Sequence, residues 1–185
     1  MAIEYIGYLL YGNDGDTIDE IINNGLLKAR KYVWISSAKV GDFIVVNDHT
    51  KEGEQLSNKI YQMAKRGVKF KFLLAPHEKT KAYKNTQTFY QKLEGVENIE
   101  FEFCYDMHMK VILVDGTWMY FGSANLTGAG IGSRSRKGKN NFEVGTITID
   151  QKAIDAIEYQ LQQIWNGNEC QGCYQKQKGY CKGIE

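Results

Sequence analysis

Apolar side chains recur at helical spacing through residues 17–30, where Ile18, Ile21, Ile22, Leu26 and Leu27 share one side and Asp16 or Thr17 can cap the start. A short apolar run at 32–37 then reads as a strand. The pair of signals repeats, because Leu56, Ile60 and Met63 give a helix over 54–66 that stops at Gly67, and 68–75 reads as a buried strand. A weaker helix is predicted over 80–93. Strands follow at 99–104, 108–115 and 118–121, the last two joined by Gly116 and Thr117. One more strand spans 142–150, and 151–166 closes the pattern as an amphipathic helix with Ile154, Ile157, Leu161, Ile164 and Trp165 on one stripe. This alternation predicts an α/β fold, a mixed and largely buried β-sheet flanked by helices in a single domain. There is no internal repeat.

Two stretches break the pattern. Residues 127–141 are rich in Gly and Ser, carry Arg134, Arg136, Lys137 and Lys139 and contain no acid, which reads as a mobile loop. After Gly167 no period is visible, and three cysteines, Cys170, Cys173 and Cys181, appear. Residues 1–167 are therefore taken as the domain and 168–185 as a cysteine-containing tail.

Composition narrows the class. A chain of 185 residues with 43% apolar and 24% charged residues and a single proline suits one globular domain. The formal charge of +1 gives no whole-molecule field to attract a polyanion, so any anion site must be local. No apolar run approaches the roughly 18 residues needed to span a bilayer. Acids at Glu4, Asp14, Asp16, Asp19 and Glu20 interrupt what would have to be a secretory leader, and a cytoplasmic setting is expected. Four cysteines are too sparse for a disulfide scaffold.

The chemistry concentrates in the segment H-M-K-V-I-L-V-D-G-T-W-M-Y-F-G-S-A-N, residues 108–125. On a strand, His108 and Lys110 are two apart and project to one face, presenting an imidazole beside an ammonium. The returning strand delivers Gly122, Ser123 and Asn125 to the same sheet end, adding a hydroxyl and an amide. An isolated H-x-K would be ordinary, but here the D and G-S-x-N follow in register.

The spacing H-x-K, four residues, D, six residues, G-S-x-N resembles the signature of the phospholipase D superfamily, over about residues 17–166. The resemblance implies a phospholipase D-like fold and a phosphodiesterase that needs no metal or other cofactor for catalysis. In that reading His108 attacks phosphorus to form a covalent phosphohistidine, while Lys110, Asn125 and Ser123 hold the non-bridging oxygens. It also implies a carboxylate that orients the imidazole, for which Glu143 in N-N-F-E is the matching candidate. Asp115, the motif's acid, falls on the opposite strand parity from His108 and is given a turn-stabilising role. The family's second H-x-K, which supplies the general acid, is absent. His49 and His77 lie in D-H-T-K-E and P-H-E-K-T, without the apolar strand and G-S-x-N. The resemblance therefore implies a homodimer whose two copies of His108 share one site.

Small single-motif members of that family are mostly nucleases, so DNA or RNA is the expected partner, cut as by an endonuclease and gripped by Arg134, Arg136, Lys137 and Lys139. Tyr105, Trp118 and Tyr120 read either as base-stacking or as core residues. The alternatives are a phospholipid headgroup hydrolase or phosphatidyltransferase, without membrane insertion, and a non-catalytic nucleic-acid-binding module. Cys170, Cys173 and Cys181 read either as three ligands of a structural zinc or iron–sulfur knuckle, completed by Cys104, His49 or His77, or as free thiols on a flexible end.

Overall fold

The structure, a computed structural model, describes residues 7–11, 16–46, 52–76, 84–133 and 141–184. Most of its strands follow the apolar runs. They are β1 (Gly7–Tyr11), β2 (Tyr32–Ser37), β3 (Ile44–Val46), β4 (Gly53–Gln55), β5 (Lys69–Leu74), β6 (Ile99–Phe103), β7 (Val111–Val114), β8 (Trp118–Gly122) and β9 (Val144–Thr148). Seven of them form one sheet in the order β1-β9-β8-β7-β2-β5-β6, and β3 pairs with β4. β2, β5 and β6 run parallel, while β7, β8, β9 and β1 pair antiparallel. The mixed sheet expected from the sequence is therefore present.

Both faces of the sheet are covered, which is why strands such as Val111–Val114 are buried throughout. On one face Val33, Ile35, Phe70, Phe72, Ile112 and Val114 pack with Leu56 and Ile60 of α2 (Leu56–Lys65) and Phe89 and Leu93 of α3 (Lys84–Leu93). On the other, Trp34, Leu73, Leu113 and Met119 meet Ile154 and Leu161 of α4 (Gln151–Trp165). The Asp150 carboxylate accepts the Ala153 N–H at 2.8 Å and caps α4. Ile154 and Leu161 are fully buried, each contributing roughly 1.5–3 kcal/mol.

Several elements differ from the sequence reading. The helix expected over 17–30 is broken into α1 (Asp16–Ile18), a π-turn (Asp19–Asn23) and a 3₁₀ turn (Leu26–Lys28). Ile21, Ile22 and Leu26 are still buried and Ile18 and Leu27 partly so, but at Gly25 the backbone leaves the helical region (φ −101°, ψ −91°), packed against Trp118 where a Cβ would stand 2.3 Å from the indole. α2 starts at Leu56 because Gln55 is extended and Glu54 belongs to β4. Asp42 then acts as a remote cap, accepting the Ser57 N–H at 3.0 Å and its hydroxyl at 2.7 Å. β1, β3 and β4 fall outside the predicted strands, and β3 and β4, at three residues each, are too short to show a period. The tail is not shapeless, since it forms a 3₁₀ turn (Asn168–Cys170) and α5 (Tyr174–Gln177), and Ile184 packs on the α4-side core.

The connection from β6 to β7 positions the chemistry. β6 is at one edge and β7 lies beyond β5 and β2, so residues 104–110 cross the carboxyl ends of two parallel strands. The Cys104 N–H bonds the Leu74 carbonyl at 2.9 Å as β5 is passed. The Ser36 hydroxyl donates to Met107 Sδ at 2.8 Å as β2 is passed, and Val111 then pairs with Ser36. The carboxyl ends of parallel strands are where open α/β sheets place ligands.

Candidate active site

Because β7, β8 and β9 alternate in direction, the start of β7, the end of β8 and the start of β9 meet at this same sheet end. Lys110, Gly122 to Asn125 and Glu143 are thereby gathered beside Ser37 and Lys39 at the end of β2.

The regular strand begins at Val111, not at His108, so strand alternation does not set the two motif side chains on one face. Residues 104–110 make only single backbone bonds to the strands they pass, Cys104 N–H to the Leu74 carbonyl and Gly122 N–H to the Lys110 carbonyl, and regular pairing starts where Val111 meets Ser36. His108 is exposed, whereas Lys110 is only 8% exposed. The Lys110 ammonium donates to the His108 carbonyl oxygen at 2.6 Å, so the cation is anchored on the backbone of the residue it accompanies. Burial lowers the Lys110 pKa from its ordinary value, and the negative charge of Glu143 works in the opposite direction.

Ser123 and Glu143 are joined directly, the Ser123 hydroxyl donating to the Glu143 carboxylate. Ser123 Oγ also accepts the Val144 N–H at 3.1 Å, and Asn141 Nδ2 donates to the other Glu143 oxygen at 3.0 Å. This junction depends on two glycines. A Cβ on Gly122 would stand 2.5 Å from the Val144 carbonyl, and one on Gly145 would stand 2.4 Å from the Tyr120 ring. Tyr120 lies beneath them, 2% exposed, and burial reinforced by Glu143 pushes its hydroxyl up to about 12 against a hydrogen bond from the Ala124 backbone.

Asn125 is fixed in one orientation. Its Oδ1 accepts the Lys39 backbone N–H at 3.1 Å and lies 3.2 Å from the Ser37 hydroxyl. A backbone N–H can only donate, so the atom facing it must be the oxygen, and the two amide N–H groups are left to donate elsewhere. The following residues wind tightly, with Thr127 N–H on the Asn125 carbonyl at 2.7 Å and Gly130 where a Cβ would lie 2.4 Å from that same carbonyl.

Asp115 sits away from this cluster, at the far end of the β7–β8 hairpin. Its carboxylate accepts the backbone N–H groups of Arg30, Lys31 and Tyr32, each at 2.8 Å. Its φ of 52° and that of Gly116, 68°, make the reversal. Tyr120 belongs to the core, Trp118 packs partly against it, and Tyr105 is 42% exposed. Arg134, Arg136, Lys137 and Lys139, and also His49 and His77, lie outside the described residues. Cys170, Cys173 and Cys181 are half-buried and none forms a disulfide. Ser37, Lys39 and Asn141 escaped the sequence reading, although Ser36-Ser37 ending an apolar strand carried a signal.

The family model for a cardiolipin synthase, PLD-like domain matches residues 22–165. Among solved structures the chain is similar to NucT from Helicobacter pylori, with 20% identity, TM-score 0.63, and coverage of 85% of this chain and 93% of that one. It is also similar to Nuc from Salmonella typhimurium, a phospholipase D family member, with 16% identity, TM-score 0.61, and coverage of 86% and 95%. The archaeal chromatin protein TrmBL2, described with a novel mode of DNA binding, aligns at 17% identity and TM-score 0.50 over 89% of this chain and 54% of its own. No curated protein matches the sequence.

Proposed function

The chain belongs to the phospholipase D-like family, and from that premise we propose that it is a metal-independent phosphodiesterase that cleaves DNA or RNA through His108. The observation that carries the reading is the meeting of Lys110, Ser123, Asn125 and Glu143 at the sheet end, beside an exposed His108. In the first step an imidazole nitrogen attacks phosphorus, the P–N bond forms and the bond to the leaving oxygen breaks. The His108 of a second copy protonates that oxygen. Water then attacks the phosphohistidine and gives its proton to the same second imidazole, the P–N bond breaks and the enzyme is restored. Lys110 and the Asn125 amide meet the charge on the non-bridging oxygens, which removes the need for a divalent ion. Glu143 orients the imidazole, and Ser123 and Asn141 hold that carboxylate.

A shared site needs a dimer. Phe121, Val144 and Phe142 flank Ser123 and Glu143 and are 40%, 46% and 91% exposed, an apolar margin that suits a second copy. NucT and Nuc are the relatives that favour nucleic acid over phospholipid, and Arg134, Arg136, Lys137 and Lys139 would add phosphate contacts. No helix among the described residues is long and apolar enough to cross a membrane. Four free thiols suit a reducing, cytoplasmic setting.

The test is incubation with labelled single- and double-stranded DNA and RNA in EDTA, alongside vesicles that report headgroup release. Cleavage that survives the chelator and vanishes in His108→Ala is expected, from a species of about twice 21.1 kDa. Headgroup release without strand cleavage would transfer the site to phospholipid. Chelator-sensitive cleavage retained in His108→Ala would overturn the mechanism.

A further inference from the structure

All four cysteines of the chain line one hollow. Cys104 follows β6, and Cys170, Cys173 and Cys181 come from the tail, yet together they surround a cavity of about 30 Å³ walled by Phe103, Ile164 and Ile184. Chance apposition of a remote cysteine with three clustered ones is a poor account of this, and none of the four forms a disulfide. Two sulfurs also accept backbone N–H groups, Cys170 Sγ from Ile184 at 3.4 Å and Cys181 Sγ from Gly183 at 3.2 Å. A neutral thiol is a weak acceptor, whereas such N–H groups are ordinary outer partners of metal-bound thiolates. Gly172, at φ 83°, makes the turn that brings Cys173 back towards Cys170.

We propose that Cys104, Cys170, Cys173 and Cys181 form a tetrathiolate metal centre, occupied by one zinc ion or by an iron–sulfur cluster, that fastens the tail to the catalytic domain. As the side chains stand, no three His, Cys, Asp or Glu residues among those described are gathered closely enough to hold an ion. Binding therefore draws the sulfurs inward across a space with room for about two water molecules, to metal–sulfur distances of about 2.3 Å for zinc. Each thiol that coordinates gives up its proton. Cys173 exchanges its S–H contact with Asp106 Oδ2, at 3.8 Å, for the metal, while Gln175 Nε2 keeps its 2.8 Å bond to Asp106. Asp106 and Cys104 belong to the segment that ends at His108, so the centre also braces the approach to the proposed nucleophile.

The experiment is independent of any nuclease activity. The full chain is purified under reducing conditions, once in air and once without oxygen, and zinc, iron and acid-labile sulfide are counted per chain. About one zinc is expected, or iron with matching sulfide and visible charge-transfer absorbance. Cys104→Ser and Cys170→Ser should each lose that metal, with circular dichroism reporting whether the fold survives. Cobalt added to metal-stripped wild type gives thiolate charge-transfer bands whether or not the variants fold. Wild-type protein with no metal, four freely reactive thiols and no cobalt–thiolate bands would overturn the proposal, as would full metal content in a folded Cys104→Ser.

Discussion

Asp115 and Tyr32 hold each other by backbone and side chain at once. The Tyr32 N–H donates to the Asp115 carboxylate at 2.8 Å, and the Asp115 N–H donates to the Tyr32 carbonyl at 2.9 Å. The acid of the motif thus clasps the β7–β8 turn to the entry of β2, at the opposite end of the hairpin from Ser123.

Replacing Asp115 by Ala removes an acceptor shared by three N–H groups and places a Cβ-bearing residue without a polar side chain at positive φ. A loss of roughly 2–4 kcal/mol is expected, or about 5–15 °C in Tm for a domain of this size. Asp115→Asn should recover part of it and Asp115→Gly only the backbone share. Thermal melts of the three variants check this. Cleavage per folded molecule should change little, and a large fall in kcat with an unchanged Tm would give Asp115 a chemical role.

Gly122→Ala drives a methyl into the Val144 carbonyl. β8 and β9 must separate, at a cost of about 1–3 kcal/mol. The Ser123–Glu143 contact stretches with them, so activity should fall beyond what the lost stability explains. Chemical denaturation and kcat on the same preparation separate the two effects.

Lys110 should titrate below an ordinary lysine, because burial disfavours its charged form. Glu143 opposes that shift, so Glu143→Gln should lower the Lys110 pKa further, and the ammonium should be lost earlier as pH rises. NMR of the lysine side-chain ε carbon and ζ nitrogen follows this directly, whether or not the variant is active. A Lys110 signal that moves upward in Glu143→Gln would contradict the assigned electrostatics.

Asn125→Asp keeps the shape and the acceptor that Lys39 uses, but converts the donating edge to a second anionic oxygen. Asn125→Ala should lower kcat by roughly 10²- to 10³-fold through loss of one oxyanion donor. Asn125→Asp should be worse, since it repels the phosphate. Steady-state kinetics on an oligonucleotide rank the two, and equal rates would remove Asn125 from substrate contact.

The sequence exposes the strands that are buried on both faces, such as those containing Phe70 and Ile112, because continuous apolar runs leave little choice. It also marks the candidates Ser123 and Asn125, which follow the β7–β8 hairpin, and Lys110 just before it, while the strand reading of His108 does not hold. It conceals contacts made by polar residues remote in the chain. Asp42 capping Ser57 and the Lys39 N–H fixing Asn125 have no local periodicity. The helix expected from Ile21, Ile22 and Leu26 fails for a similar reason, since the pattern records which side is buried and not that the backbone leaves the helical region at Gly25.

The pairing of β1 with β9 sets a delay in the making of this protein. Tyr11 aligns with Val144 and Gly7 with Thr148, so among the described residues the earliest strand of the sheet bonds to the latest. At typical rates of synthesis the intervening chain takes roughly seven to thirty seconds, during which the segment G-Y-L-L-Y lacks the strand it pairs with. Throughout it, the same edge on another nascent chain is an equally acceptable mate. Crowded expression should therefore favour strand-exchanged pairs, and slower initiation should favour correctly closed single chains.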